Sequence, residues 1–129
     1  MIARLSNRIT QSEKQGGFTL IELLVVVIII GILLAIAVPS YLKFRDRAAE
    51  NAAKANVRAS IPAIEAYYAD NGTYATMTVA ILKAAYDAGF IGTLGTVDAD
   101  SYCVSSTVNG KTFHAEGPGG TVTAGACPP

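Results

Sequence analysis

The chain has 129 residues, of which 51% are apolar and 16% are charged, and its ten basic and ten acidic side chains give a formal net charge of zero. This length fits one small domain, and so few charges exclude a disordered charged tail and a basic nucleic-acid binder. The charge is nevertheless uneven: +2 in residues 1–17, −1 from Glu22, +1 in residues 40–71 and −2 in residues 72–129.

A long apolar run begins near the N-terminus. Residues 23–38 contain no polar side chain, and the run extends back to Phe18 if Thr19 and Glu22 are allowed. A helix of that length spans roughly 30 Å, which is enough to cross the hydrocarbon core of a bilayer. A buried core helix is the alternative, but the rest of the chain is too short to cover such a helix on all sides. We therefore expect a membrane segment.

The direction of insertion depends on weaker signals. The positive-inside count is a tie, because three basic residues precede the run and three follow it: Arg4, Arg8 and Lys14, then Lys43, Arg45 and Arg47. The cysteine pair in a small, glycine-rich region predicts a disulfide between Cys103 and Cys127 that forms outside the cytoplasm. This places residues 40–129 outside.

Two cleavage hypotheses fit the N-terminal segment. A basic start, an apolar stretch and Ala35-Ile36-Ala37 are typical of a secretory signal peptide, whose removal after Ala37 would release a soluble domain. The other hypothesis puts the cut between Gly17 and Phe18, so that the membrane helix stays on the product.

The residues around the second cut favour it. The block Gly16-Gly17-Phe18-Thr19-Leu20-Ile21-Glu22-Leu23, followed by the apolar run, resembles the prepilin cleavage and methylation motif of type IV pilins, type IVa-like, and of their pseudopilin relatives. The resemblance extends over Gly31, Pro39 and the helix leading to residues 67–74, a little under half of the chain.

The resemblance implies a processed structural subunit and not an enzyme. It implies that a membrane prepilin peptidase removes the leader, residues 1–17, on the cytoplasmic side and N-methylates Phe18. The mature chain would leave the inner membrane through the pilus assembly machinery and polymerise with other pilin subunits into an extracellular fimbrial filament for adhesion, twitching motility or DNA uptake. The residue pattern itself predicts no cofactor, no metal and no specific nucleic-acid partner.

Glu22 is the most informative residue of this block. A carboxylate within a membrane segment costs about 2.5–3.5 kcal/mol at the bilayer centre and usually has a partner. The amine created at Phe18 would lie one turn away, and a carboxylate in the first turn also complements the helix dipole. In the family, this glutamate is thought to neutralise the amine of a neighbouring subunit, which would make Glu22 an assembly residue.

Two residues weaken the helix of residues 18–39. Gly31 costs roughly 1 kcal/mol relative to alanine, and Pro39 removes an N–H and crowds the carbonyl four residues earlier. In similar pilins, the segment between such positions loses its helical structure when the subunits pack into a filament. An ordinary kink in a membrane helix explains the presence of Gly31 and Pro39 equally well.

Residues 40–72 are predicted to continue as an amphipathic helix that ends at Asn71-Gly72. At 100° per residue, one face carries small and aromatic residues and the far side carries charges and then a second apolar stripe. We expect the second stripe to pack on the C-terminal region and the first to meet other subunits. The first stripe is Tyr41, Phe44, Ala48, Ala52, Ala55 and Ala59, and the second is Val57, Ile61, Ile64 and Tyr68.

Residues 73–129 are predicted to form a small αβ region. Thr78 caps a short helix over residues 79–88 that Gly89 closes. Residues 102–107 and 111–116 form a hairpin with Asn109-Gly110 at its tip, and residues 121–124 form a third strand. The expected fold class is α+β, with the long helix packed on an antiparallel meander.

Candidate chemistry is sparse in this sequence. His114 lies in a predicted strand and is expected to be structural, and Asp98 with Asp100 is weak evidence for a calcium site. The rival functions are a pseudopilin of a type II secretion or competence system, which shares the N-terminal motif, and a secreted binding domain that starts at Val38.

Overall fold

The computed structural model describes residues 17–129, so all of the predicted leader except Gly17 lies outside the described residues. The elements in chain order are helix α1 (Leu20–Asn71), helix α2 (Val79–Ala85) and strands β1 (Thr93–Val97), β2 (Tyr102–Val108), β3 (Lys111–Gly117) and β4 (Thr123–Ala124). The chain divides into two compact units, with the boundary after Leu42. We call residues 17–42 the first unit and residues 43–129 the second unit.

In the first unit, α1 is unbroken through both residues that weaken it, Gly31 and Pro39. Near the proline, the hydroxyl of Ser40 donates a hydrogen bond of 3.2 Å to the carbonyl of Ile36. Such a bond adds a partner to the backbone next to the position where proline supplies no N–H. Loss of helicity in a packed filament therefore stays a prediction.

Every residue of the first unit is exposed. Its helix is long and apolar enough to cross a membrane. A core helix of a soluble protein would bury its apolar residues within the chain, so burial in this chain's own core is excluded as the explanation of the apolar run.

In the second unit, one side of α1 supplies much of the core. Val57 and Ile64 are buried and Ile61 and Tyr68 pack partly against the core, which confirms the expected packing of the second stripe. The buried side is broader than that stripe, because small residues beside it let the rest of the unit approach the helix closely. The buried residues of α1 are Ala49, Ala53, Val57, Ser60, Ala63, Ile64 and Tyr67.

The sheet is an antiparallel meander with strand order β1-β2-β3-β4. The predicted hairpin is confirmed: β2 and β3 pair from Tyr102 opposite Gly117 to Val108 opposite Lys111. Asn109 and Gly110 at its tip both have positive φ, 47° and 78°, as a type I′ turn requires. The predicted third strand shortens to Thr123–Ala124.

Strand β1 was not predicted from the sequence. Its five residues, Thr-Leu-Gly-Thr-Val, include a central glycine and show no clean alternation of burial. The glycine is needed there, because a Cβ on Gly95 would lie 2.5 Å from the Cβ of Cys127. A glycine that spoils the strand pattern is thus the residue that lets β1 lie against the disulfide.

The short helix α2 begins as predicted and ends early. The side chain of Thr78 accepts a hydrogen bond of 3.2 Å from the backbone N–H of Ile81, as an N-cap residue does. The helix ends at Ala85 and not at residue 88, because Tyr86 leaves the helical conformation at φ −121° and ψ −48°. The hydroxyl of Tyr86 instead reaches Asp70 at 2.8 Å.

The core joins α1 to α2 and the sheet. Its largest fully buried side chains are Tyr74, Phe90, Ile64, Leu82, Val57 and Val104. The predicted disulfide is confirmed, since Cys103 on β2 is bonded to Cys127 in the C-terminal tail, with 5.9 Å between their Cα atoms. The α+β fold class is confirmed, with four strands and not three.

Candidate processing and assembly site

Thr19 and Glu22 form a reciprocal cap at the start of α1. The Glu22 carboxylate accepts a hydrogen bond of 2.9 Å from the backbone N–H of Thr19. In return, the Thr19 hydroxyl accepts one of 3.3 Å from the backbone N–H of Glu22. This is a capping box, and it satisfies two N–H groups that have no partner within the helix. The Thr-x-x-Glu spacing is the sequence signature of this capping box, although the cap was not predicted.

The residues on each side of the predicted cut are accessible. Phe18 is 82% exposed. Gly17 has open space where a side chain would stand. Cleavage would create an amine on Phe18, the residue just before Thr19, whose N–H donates a hydrogen bond to Glu22. The carboxylate is therefore held at the end of the helix where the new positive charge would form.

Glu22 is also electrically isolated in this part of the chain. It is the only Asp, Glu, Lys or Arg in residues 17–42. Its neighbours Ile21 and Leu23 are apolar and exposed by 69% and 53%. A polymer that buried this surface would also bury one carboxylate per subunit, which is costly without a positive partner.

The small-residue face of α1 in the second unit is exposed, as expected. Ala48, Ala55 and Ala59 are exposed and Ala52 is half-buried. Phe44 on the same face is 70% exposed. The chain's own core therefore leaves this face uncovered. Small residues allow helices to approach each other closely.

A tyrosine cluster around Glu65 was missed by sequence reasoning. The hydroxyls of Tyr74 and Tyr102 both donate to the Glu65 carboxylate, at 3.1 Å each for their nearest oxygens. The rings of Tyr74 and Tyr102 lie 4.9 Å apart, and that of Tyr68 stacks on Tyr74 at 4.5 Å. No local spacing connects residues 65, 74 and 102, so only the folded chain brings them together.

Burial and this carboxylate change the acidity of the tyrosines. Burial raises the pKa of Tyr74 to about 12, and the hydrogen bond to Glu65 adds to the effect. The pKa of Tyr102 is also raised, by burial first and then by the negative charge of Glu65. Both hydroxyls stay protonated at neutral pH. The cluster thus connects α1 to β2 and to the segment after the helix.

His114 and the two aspartates have ordinary structural surroundings. His114 lies on β3, as predicted, with Nδ1 2.9 Å from the carbonyl oxygen of Gly125 and Nε2 3.2 Å from the Thr123 hydroxyl. Asp98 accepts a hydrogen bond of 3.4 Å from Ser101. Within residues 17–129 there is no group of three acidic, histidine or cysteine side chains that could hold a metal ion.

These features together define a class of protein. An exposed apolar helix of membrane length carries a single carboxylate at its capped start and continues into a small disulfide-bonded αβ unit. This is the architecture of a pilin-like protein.

Comparison with known proteins narrows the class. Residues 13–38 match the family model described as the prokaryotic N-terminal methylation motif. The chain is 33% identical over 99 residues to the type IV wide pilus major component PilA4 of Thermus thermophilus, which covers 74% of this chain and 76% of that protein. The chain therefore belongs to the type IV pilin family. No solved structure matches it.

Two other relatives match about half of this chain. The type IV major pilin protein PilA of Myxococcus xanthus is 46% identical over 63 residues, 49% of this chain and 29% of that protein. The type II secretion system core protein G of Pseudomonas aeruginosa is 44% identical over 64 residues, 50% of this chain and 45% of that protein. The chain thus spans less than half the length of both of these curated relatives.

Proposed function

We propose that this chain is the precursor of a structural subunit that polymerises into a type IV pilus. A prepilin peptidase cleaves between Gly17 and Phe18 on the cytoplasmic side of the inner membrane and methylates the new amine of Phe18. Residues 18–39 anchor the product in the membrane, and residues 40–129 lie outside it. The assembly machinery then moves the subunit from the membrane into an extracellular filament.

The observation that carries this proposal is the capped carboxylate at the start of an exposed apolar helix. Moving the helix from lipid into a filament core exchanges one apolar environment for another, so the apolar residues add little preference for either. A buried Glu22 needs a positive partner, and the Phe18 amine of a neighbouring copy supplies it. The charge pair therefore favours the polymer over isolated subunits. It also favours the packing in which the N-terminus of α1 in one copy lies beside the N-terminus of α1 in the next.

Substitution of Glu22 tests the proposal. Glu22→Gln keeps the size and part of the capping of this side chain but removes its charge. We expect normal cleavage and at least a tenfold loss of surface filaments, counted by electron microscopy and in sheared fractions. Glu116→Gln, which neutralises an exposed carboxylate on β3, is the matched control and should assemble normally. Wild-type filament yield from Glu22→Gln would contradict the charge-pair role.

The mature N-terminus tests the processing step independently. Intact mass and N-terminal sequencing of the mature protein should give a methylated Phe18. A product beginning at Val38 would support a secreted binding domain and would remove the membrane helix from the mature protein.

A pseudopilin of a type II secretion or competence system is the second candidate. It is favoured by the likeness of about half of this chain to the Pseudomonas aeruginosa core protein G. Deletion of the gene distinguishes the two. Loss of long surface filaments with intact secretion supports the pilus, and loss of secreted proteins without loss of surface filaments supports the pseudopilin.

A further inference from the structure

The part of α1 that opens the second unit is basic. Residues 43–58 hold five basic and two acidic side chains, a net charge of +3. Four of the basic side chains are exposed, and the fifth, Lys54, is half-buried with its ammonium 4.9 Å from the centre of the Phe113 ring. We call these residues the basic segment. Its exposed basic side chains are Lys43, Arg45, Arg47 and Arg58.

The remainder of the second unit is acidic. Residues 65–129 hold six acidic and two basic side chains, a net charge of −4. Asp98 and Asp100 are exposed in the turn between β1 and β2. Between them, the carbonyl oxygen of Ala99 accepts hydrogen bonds from the backbone N–H of Tyr74 at 3.1 Å and from the hydroxyl of Thr73 at 3.2 Å. These bonds hold the turn beside the end of α1.

The C-terminal end of α1 adds partial negative charge to this acidic region. Its last turn contains no basic residue that would offset the negative end of its dipole. Asp70, also in the last turn, is exposed and hydrogen-bonded to Tyr86. We call Asp70, Asp98 and Asp100 the acidic end.

The two charged surfaces are too far apart to neutralise each other within one chain. Arg58 and Asp70, the members of the two surfaces that lie nearest along α1, are separated by 12 residues, roughly 18 Å at 1.5 Å per residue. The Debye length at physiological salt is about 8 Å, so attraction over that distance is screened. The second unit therefore carries positive charge at one end of its part of α1 and negative charge at the other end.

We propose that the acidic end of one subunit docks on the basic segment of the next copy, head to tail. When two different surfaces of identical subunits bind each other, every subunit keeps one surface free for the next copy. If the rotation between successive copies does not close a ring, the result is an open helical polymer. Complementary charges at such a contact set its register and exclude like-charged arrangements. This inference rests on the proposed function, because it describes how the pilus subunits align.

Reciprocal charge reversal in the full-length chain tests this docking. Asp98→Lys with Asp100→Lys should reduce surface filaments at least tenfold, and Arg45→Glu with Arg47→Glu should do the same. Combining all four substitutions should restore the yield to within about twofold of wild type. Thr107→Lys with Thr121→Lys adds two lysines at exposed sites outside both surfaces and should assemble normally. Filament yield is normalised to membrane-bound mature protein that retains the Cys103–Cys127 disulfide.

Each outcome decides the proposal. Rescue by the four-residue variant supports it, and so does a wild-type polymer that dissociates as salt is raised while the Cys103–Cys127 disulfide stays intact. Unchanged assembly of either reversal, or failure of the combined variant to recover, overturns it. If only the Arg45 and Arg47 reversal lowers assembly, the basic segment binds another partner such as anionic lipid, which also overturns it. Absence of filaments from the wild-type chain would instead contradict the proposed function.

Discussion

The two units use one helix in opposite ways. In residues 17–42 no side chain is buried, although nearly all are apolar. From Ala49 onward the same helix buries seven residues in a core shared with α2 and the sheet. The first unit therefore contributes surface and the second contributes folding stability. Apolar content therefore does not measure the core of this protein, because most of its large apolar side chains lie outside that core.

The largest expected difference between the units comes from one substitution made in each. Ile64 is fully buried, so Ile64→Ala should lower the free energy of unfolding by about 4 kcal/mol through lost burial and a cavity. Ile29 is 50% exposed, so Ile29→Ala should leave that free energy unchanged. Guanidinium unfolding of detergent-solubilised protein, followed by tyrosine fluorescence, measures both, since the chain has no tryptophan and five of its six tyrosines lie in the second unit. Equal destabilisation by the two changes would contradict this division of roles between the two units.

Removal of the disulfide should be the next largest effect. Cys103→Ser with Cys127→Ser opens a loop with a sequence separation of 24 residues and should cost about 3.5 kcal/mol by loop-closure entropy. The same unfolding measurement should show the loss in the second unit. Full helicity of the apolar segment in micelles, measured by amide exchange, is the accompanying control. A destabilisation below about 1 kcal/mol would contradict the expected loop-closure contribution of the disulfide.

The tyrosine cluster predicts a pH dependence confined to the second unit. The pKa of Tyr74 is about 12 in the folded chain, above its ordinary value near 10, so folding favours the protonated hydroxyl. This contribution is complete below pH 10 and is lost as the pH rises through 12. Tyr74→Phe should therefore flatten the decrease of stability between these values. Tyr41→Phe, in the first unit, is the control and should retain the wild-type decrease.

The smallest expected effect is at the start of the first unit. Thr19→Val removes the hydroxyl that caps the Glu22 N–H and should cost about 1 kcal/mol, limited to the first turn of α1. Faster amide exchange at residues 20–23 in micelles, with an unchanged guanidinium midpoint, is the expected result. Thr78→Val, at the cap of α2, is the counterpart in the second unit and should lower the midpoint. A lowered midpoint for Thr19→Val would show that the two units are coupled.

Local chemistry explains which elements could be predicted. The hairpin followed from Asn109-Gly110, because two positive φ values select these residues. The start of α2 followed from Thr78, whose side chain caps the helix. Strand β1 could not be predicted in this way, because Gly95 is set by close packing on Cys127. The end of α2 depends on Tyr86 reaching Asp70, a contact across 16 residues that no local pattern contains.

The features of the candidate site also separate into those that local sequence predicts and those that depend on long-range contacts. Gly17, Phe18 and Glu22 were predicted from the sequence as processing and assembly residues because their spacing is local, and the structure adds a capping hydrogen bond between Thr19 and Glu22 within one turn. The Glu65 cluster and the separation of charge along α1 needed the fold, since Ala99 must bind Tyr74 to place the acidic turn at the end of the helix.

Short-range sequence patterns were enough to specify the long helix, its apolar first half, the hairpin and the carboxylate at the helix start. Each of these depends on residues within a few turns of one another, where propensity, periodicity and capping act. Three features became visible only in the folded chain. The buried side of α1 extends beyond the predicted stripe, strand β1 lies against the disulfide, and Tyr74 and Tyr102 share the carboxylate of Glu65. Those features arise from contacts between distant segments, whose free energies depend on the packing of the whole second unit.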